Sequence, residues 1–278
     1  MTIDSWSHSR LGDFEKCKYM AWLKHDQRIP EPPRPLPPGK TEHANDRGSR
    51  IHDCAEMFVR GKGPFIPEMR EFEAEFKHLQ HLFKQGKVFL EGEWGMTEDW
   101  EITGWNGAWK ELGPIETAGA KVLAANVLKK LPERGKKDAL VRVGKKAYRW
   151  IPSWHRLKLD CLVLTSSVEA VVIDYKSGKK FGNEVKHGEQ LQLYALNTFL
   201  RNPELEIVHA ELWYLDVRDL TSVTYTRAQG LRARPGFDRR GHAITNATEF
   251  PPNPNVYSCR WCPYGPAGTG HCKVGIQK

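Results

Sequence analysis

The sequence predicts an α/β protein, and two observations lead to that fold class. Apolar residues recur at helical spacing through much of the first 85 residues and again near residue 195. Between and after these stretches lie short runs rich in β-branched and aromatic residues, which are typical of strands. No internal repeat and no convincing domain boundary divides the 278 residues, so a single domain over residues 1–278 is predicted.

The N-terminal part is predicted to be mainly helical. A first helix is indicated by apolar residues at helical spacing, at Leu11, Phe14, Tyr19, Trp22 and Leu23. A proline-rich stretch over 29–38 follows it, because proline lacks the amide hydrogen that a helix interior needs. Further helices are predicted over 47–60 and 68–85, and another around 115–131.

Strands are predicted from residue 88 onward. The first covers 88–94, and two neighbouring strands over 154–164 and 168–175 are separated by a short polar turn. A helix with an apolar stripe follows over 190–200, and a last strand covers 207–215. Strands and a helix therefore alternate in the second half of the chain.

The composition favours a polyanionic partner. Lys and Arg total 42 against 34 Asp and Glu, a formal charge of +8, with nine basic residues within 129–149 and four within 232–240. Contacts between such side chains and phosphates release counterions, although the same runs also fit solvated surface faces. No apolar run approaches the roughly 20 residues that span a bilayer. The polar N-terminus has no secretory signal, so a cytoplasmic protein is predicted.

Two predicted strands carry acidic residues that could bind a metal ion. Asp160 ends one strand, and Asp174 and Lys176 end the next. Carboxylates are preferred ligands of Mg²⁺ and Mn²⁺, which lower the pKa of a bound water and neutralise charge on a phosphodiester. Lys176 could orient that water, whereas the alternative interpretation is an ordinary salt bridge. Two similar triplets, Glu75-Phe-Lys77 and Glu184-Val-Lys186, lack a preceding apolar strand.

Four motifs contain or accompany these residues. They are Gly48-Ser-Arg-Ile-His52, Leu159-Asp-Cys-Leu-Val-Leu164, Val172-Ile-Asp-Tyr-Lys-Ser-Gly178 and Gln190-Leu-Gln-Leu-Tyr-Ala195. Together they resemble the signature of RecB-type nucleases in the PD-(D/E)xK superfamily. The resemblance implies a restriction-endonuclease-like α/β core, in which helices flank a central mixed sheet. It leaves segment 95–148 unaccounted for.

The resemblance also implies roles for individual residues. The ligands of a divalent cation would be His52, Asp160, Asp174 and the main-chain carbonyl of Tyr175. Lys176 would act in catalysis with the two aspartates, while Gln190 and Tyr194 would position the lysine or the DNA strand. Without the resemblance, Tyr194 is simply a core residue. Glu91 and Glu93 are both candidates for a further acidic ligand.

Three cysteines lie close together near the C-terminus. Cys259-Arg-Trp-Cys262 and Cys272 provide thiolates that suit either zinc, with His271 as a fourth ligand, or an iron–sulfur cluster. Disulfides are not expected in a reducing compartment. Cys54 and Cys161 have apolar neighbours and are predicted to be buried.

A fourth thiolate is available in the N-terminal segment. Asp13-Phe-Glu-Lys-Cys17-Lys-Tyr-Met-Ala-Trp22 resembles the cysteine segment of an iron–sulfur subgroup that includes AddB-like and CRISPR-associated RecB-like exonucleases. The resemblance implies that a [4Fe–4S] cluster is bound by Cys17, Cys259, Cys262 and Cys272. Segments at the N-terminus (about 1–28) and C-terminus (about 250–278) would form an iron–sulfur clasp. The gap before Cys272 is longer than that subgroup leads us to expect.

These inferences predict a DNA exonuclease that uses Mg²⁺ or Mn²⁺ and acts on single strands or duplex ends, in recombination, repair or end processing. The predicted partner is DNA. Further copies of the chain, or recombination and replication proteins, are additional candidate partners. No membrane partner is predicted. Unpaired bases could stack on tryptophans such as Trp105, Trp109 or Trp154. The alternative hypothesis is a non-catalytic nucleic-acid-binding module that contains zinc or a cluster.

Overall fold

The structure is a computed structural model in which the chain divides into two compact units. It describes residues 3–33, 36–113, 139–143, 146–178, 180, 182 and 184–276. The first unit comprises Met1–Ile3, His8–Gly92 and Lys158–Lys278, and the second comprises Asp4–Ser7 and Glu93–Leu157. The helix predicted around 115–131 lies outside the described residues. A single domain over the whole chain stays a prediction.

The predicted N-terminal helices are present, but two of them are interrupted. They are α1 His8–Lys16, α2 Lys18–Ala21 with a π-helical turn Trp22–Asp26, α3 Ala44–Val59, and α4 Glu73–Lys84 after a 3₁₀ turn Pro67–Phe72. Extended backbone at Cys17 separates α1 from α2. Cys17 therefore lies between two helices and not within the single helix that the sequence predicts.

Four further helices are described in the C-terminal part of the chain: α5 Glu184–Arg201, α6 Arg227–Arg232, α7 Arg234–Thr245 and α8 Val256–Cys259. The predicted helix over 190–200 corresponds to α5, which begins earlier than its apolar stripe. Among the described helices, none has the length and apolar composition needed to cross a membrane.

The described residues contain nine strands in two sheets. The strands are β1 Val88–Met96, β2 Ile102–Thr103, β3 Gly107–Leu112, β4 Leu140–Val143, β5 Lys146–Pro152, β6 His155–Leu164, β7 Glu169–Lys176, β8 Ile207–Tyr214 and β9 Asp219–Thr226. The larger sheet has the order β2-β1-β6-β7-β8-β9, and the smaller has the order β3-β5-β4. Because β7 runs antiparallel to β6 and parallel to β8, the larger sheet is mixed, as expected.

The pairing of β6 with β7 decides where the acidic residues lie. Cys161 pairs with Ile173, and the same register continued by one residue places Asp160 opposite Asp174. Asp160 lies in the middle of β6, so the prediction that it ends a strand was wrong. Antiparallel pairing, and not a shared strand end, brings the two carboxylates together.

Helices α3 and α4 contribute to the main core of the first unit. This core includes Ile51, Ala55, Val59, Phe76, Leu79, Cys161, Ile173, Tyr175 and Trp213. The Phe76 ring centroid lies 5.2 Å from that of Tyr175. Successive side chains of a strand point to opposite faces, so burial of Tyr175 here directs Asp174 and Lys176 to the other face. Cys161 is buried as predicted, whereas Cys54 is only partly buried.

The second unit contains the three-stranded antiparallel sheet and a cluster of aromatic rings. Trp6 lies 4.0 Å from His155 and 5.3 Å from Trp154, measured between ring centroids. Trp154 is only 6% exposed, so the prediction that it offers a stacking surface to bases was wrong. Trp109 remains exposed and makes an edge contact with Trp150.

Candidate active site and cysteine cavity

Asp160 is the centre of a first group of polar side chains. Its Oδ1 atom lies 3.1 Å from Nδ1 of His52 on α3. Its Oδ2 atom accepts a hydrogen bond of 2.8 Å from the backbone N–H of Tyr175. Burial raises the pKa of the Asp160 carboxyl, and the negative charge of Asp174 raises it further. The two facing carboxylates therefore require nearby positive charge.

His52 supplies part of that positive charge. Burial disfavours the imidazolium, yet the hydrogen bond to Asp160 and the negative charges of Asp160, Asp174 and Glu91 raise the pKa of His52 to about 9. The ring is therefore protonated at neutral pH and compensates the acids that surround it. A metal ion bound through this ring would displace its proton.

Glu91 completes a group of potential metal ligands. One ligand atom from each of His52, Glu91 and Asp160 lies within 4.8 Å of the other two. Glu91 has a φ angle of 50°, in the left-handed region that residues other than glycine seldom adopt, and such strain is concentrated at functional sites. Glu93, the other acidic candidate, is exposed and belongs to the second unit. Of the two candidates, Glu91 is the one that lies beside Asp160.

Asp174 is the centre of a second group. Its Oδ1 atom accepts hydrogen bonds from the Tyr194 hydroxyl at 2.5 Å and from Gln190 Nε2 at 3.1 Å. Its Oδ2 atom lies 2.6 Å from Lys176 Nζ. That Oδ2 atom is buried and is paired with the Lys176 ammonium.

Gln190 and Tyr194 lie one helical turn apart on α5 and share one face of it. Gln190 Oε1 accepts a hydrogen bond of 2.9 Å from Lys176 Nζ, and Gln190 Nε2 also donates to the Tyr194 hydroxyl at 2.7 Å. Burial raises the pKa of Tyr194 well above its ordinary value, and the charges of Asp174 and Asp160 act in the same direction. The phenol therefore stays protonated and donates to Asp174.

The structure places the predicted site residues in two groups of contacting side chains. His52 and Asp160 form one group, and four residues form the other: Asp174, Lys176, Gln190 and Tyr194. Tyr175 buries its side chain in the core and gives its backbone N–H to Asp160. The catalytic roles of these residues and the metal contact of the Tyr175 carbonyl stay predictions.

Lys158 is a member of the site that sequence reasoning missed. Its Nζ atom lies 2.6 Å from Glu91 Oε2, although the lysine itself is largely exposed. Lys158 and Asp160 occupy alternate positions of β6 and therefore point to the same face. The Lys-x-Asp spacing in a predicted strand is the signal that could have identified it.

The four predicted cluster ligands share one cavity in the first unit. Its lining includes Cys17, Cys259, Cys262 and Cys272. Burial raises the pKa of Cys262, and the thiols of Cys17 and Cys272 are near enough to raise it further. No three of the four sulfur atoms all lie within 4.8 Å of one another. His271, the alternative zinc ligand, is exposed and does not line this cavity.

Hydrogen bonds join the C-terminal segment to the N-terminal one. The Asn253 side chain donates to the Lys16 carbonyl at 3.2 Å, and the Asn253 backbone N–H donates to Cys17 Sγ at 3.4 Å. The hydroxyl of the buried Tyr264 donates to the Ile29 carbonyl at 3.0 Å. The two segments predicted to form a clasp are therefore in direct contact around the cysteines.

Some of the predicted basic surface is occupied by ion pairs. Arg240 lies 2.6 Å from Glu15 and 3.1 Å from Glu189, and Lys146 lies 2.9 Å from Glu111. The basic residues within 129–137 lie outside the described residues. Because these basic residues are already paired, the surface that can bind phosphates is smaller than the number of basic residues indicates.

Comparisons with known proteins give a family match and several structural likenesses. The PD-(D/E)XK nuclease superfamily model matches residues 5–267, a range that includes both acidic groups but not Cys272. The solved structure of SSO0001 has a TM-score of 0.40 and 10% identity, covering 99% of this chain and 88% of that one. A provisionally assigned exonuclease from Eubacterium rectale has a TM-score of 0.40 and 13% identity, covering 99% and 91%. No curated protein matches the chain.

We expect the group formed by His52, Glu91 and Asp160 to bind Mn²⁺. Glu91→Gln removes a carboxylate ligand and should weaken binding by at least about tenfold, since even the outer partners of metal ligands contribute that much. Isothermal titration calorimetry measures the effect. The matched control is Glu93→Gln, an exposed glutamate two residues later, which should keep full affinity. Equal losses in the two variants would contradict the assignment of Glu91.

Proposed function

The chain belongs to the PD-(D/E)XK nuclease superfamily, and we propose that it is a metal-dependent DNA exonuclease. In this proposal it hydrolyses phosphodiester bonds of single strands or duplex ends, in recombination, repair or end processing. The observation that carries the proposal is the position of Lys176 between Asp174 and Gln190, beside a group of potential metal ligands. The net charge of +8 supports a polyanionic substrate.

The residues present fit Mg²⁺ or Mn²⁺. Asp160 and Glu91 offer carboxylate oxygens, His52 offers a ring nitrogen, and Asp174 adds a carboxylate that faces Asp160 across the paired strands. We assign His52, Asp160, Asp174 and the Tyr175 carbonyl as ligands, with Glu91 as a further one. When bound, such an ion would lower the pKa of a water and neutralise charge on the phosphate.

Lys176 is the residue that we assign to act on the reacting groups. Its ammonium orients the attacking water and stabilises the negative charge that develops on the phosphate. Gln190 and Asp174 hold that ammonium, and Tyr194 in turn holds Gln190 and Asp174. A donor fixed in advance in this way needs little reorganisation during the reaction. Gln190 and Tyr194 are therefore positioning residues.

We expect Lys176→Met to reduce hydrolysis by at least about 100-fold, the usual effect of removing one charge-stabilising donor. Binding should remain within a few-fold of wild type, because the acidic groups and the basic surface are intact. Initial rates on labelled single strands and on end-labelled duplexes with Mn²⁺ measure activity, and fluorescence anisotropy measures binding.

The matched control is Lys77→Met, which changes the lysine of a similar Glu-x-Lys triplet on the exposed face of α4. That variant should retain full activity. A wild-type protein that binds DNA tightly and hydrolyses none with Mg²⁺ or Mn²⁺ would refute the enzyme proposal. That result would favour the non-catalytic binding module.

We also propose that the four cysteines hold a [4Fe–4S] cluster and that the chain falls in the iron–sulfur subgroup of RecB-like nucleases. The donor set supports a thiolate-bound group, because four cysteines line one cavity. Tetrahedral zinc on the same thiolates is the alternative that a metal analysis distinguishes. The cluster would stabilise the contact between the two terminal segments.

Anaerobically purified protein is expected to contain about four irons per chain and to show the broad visible absorbance of a thiolate-bound cluster. Cys17→Ser should lose most of the iron and lower the melting temperature. Cys54→Ser is the matched control, because Cys54 is half-buried and does not line the cavity. This variant should keep the iron content and the melting temperature of the wild type. Colourless protein with one zinc per chain would contradict the cluster assignment.

A further inference from the structure

Two aromatic side chains stand out on the surface of the segment that carries the C-terminal cysteines. Tyr257 is 87% exposed and Trp261 is 67% exposed. These are the largest exposures of any aromatic residue in the part of the chain that the structure describes. Large apolar side chains grouped on one exposed element mark an interaction surface.

Arg260 joins these two residues in what we call the aromatic–basic patch, defined as Tyr257, Arg260 and Trp261. The Arg260 guanidinium carbon lies 4.8 Å from the centroid of the Trp261 ring. In this arrangement the guanidinium is attracted to the indole face and keeps N–H groups for a phosphate. The patch therefore combines stacking surfaces with a positive charge.

The element that carries the patch is held in place by contacts on both sides. Asn255 caps α8 by accepting a hydrogen bond of 2.9 Å from the backbone N–H of Ser258. Tyr264, three residues after Trp261, is fully buried and bonded to the Ile29 carbonyl. A surface that is fixed before binding loses less conformational freedom when it binds.

We propose that the aromatic–basic patch binds unpaired bases of single-stranded DNA. The inference rests on the proposed function, since this strand would be the one that the acidic site hydrolyses. Every base has a π face, so an exposed indole and phenol stack on it without sequence preference, while Arg260 contacts a phosphate. The guanidinium beside the indole and the net charge of +8 favour a polyanionic partner.

The test is the affinity for a labelled oligothymidylate, measured by fluorescence anisotropy with EDTA present so that no hydrolysis occurs. Trp261→Ala should weaken binding by roughly 5- to 150-fold, the range for loss of one base–aromatic stack. The loss should persist at every salt concentration, because stacking releases no counterions. Arg260→Ala should instead reduce the slope of log affinity against log salt by about 0.7.

Two controls separate stacking from other effects. Trp261→Phe keeps an aromatic ring and should recover much of the affinity, and Val274→Ala, at an exposed apolar residue near Cys272, should leave affinity unchanged. Circular dichroism of each variant should give the melting temperature of the wild type, because the substituted side chains are exposed.

The inference fails if the double variant Tyr257→Ala and Trp261→Ala binds single strands as tightly as wild type while the wild type hydrolyses DNA. That result would leave the nuclease proposal intact and assign the patch to a protein partner. A wild-type chain that hydrolyses duplex ends but does not bind single strands would overturn the inference alone, whereas one that hydrolyses neither single strands nor duplexes would overturn both proposals.

Discussion

The antiparallel pairing of β6 with β7 is the constraint on which the candidate active site depends. It places Asp160 opposite Asp174, and a slip of one residue would turn each side chain to the other face of the sheet. Tyr175 makes two contacts that are consistent with this register. Its ring packs with Phe76 in the core, and its backbone N–H is bonded to Asp160. Core packing and site geometry are therefore fixed by the same residues.

The site is balanced by cations that the protein itself supplies. Three carboxylates approach one another, and each has a basic partner: Asp160 with His52, Glu91 with Lys158, and Asp174 with Lys176. Burial raises the pKa of Asp160, so these charges would be destabilising without compensation. Clusters of buried acids with shifted pKa values are common at sites where a metal ion or a reacting group also neutralises part of their charge.

Local sequence pattern predicted four of the nine described strands and the helices that carry His52, Gln190 and Tyr194, whereas the roles of these three residues followed from the family resemblance. It could not predict features that depend on strand pairing or on an irregular backbone. Asp160 was expected at a strand end because the register between the two neighbouring strands was unknown. Glu91 could not be distinguished from Glu93, since a left-handed φ in the middle of a strand leaves no trace in composition. The contact of Lys158 with Glu91 depends on β1 and β6 being neighbours in the sheet, which the sequence did not predict.

Anomalous diffraction from crystals grown with Mn²⁺ tests most directly the claim that the paired strands build a metal site. We expect a manganese peak about 2.0–2.2 Å from a carboxylate oxygen of Asp160, with His52 and Asp174 also coordinating the ion. Crystals that diffract well, contain saturating Mn²⁺ and show no peak at Asp160 would contradict the account. A peak bound only by residues outside these two groups would contradict it equally.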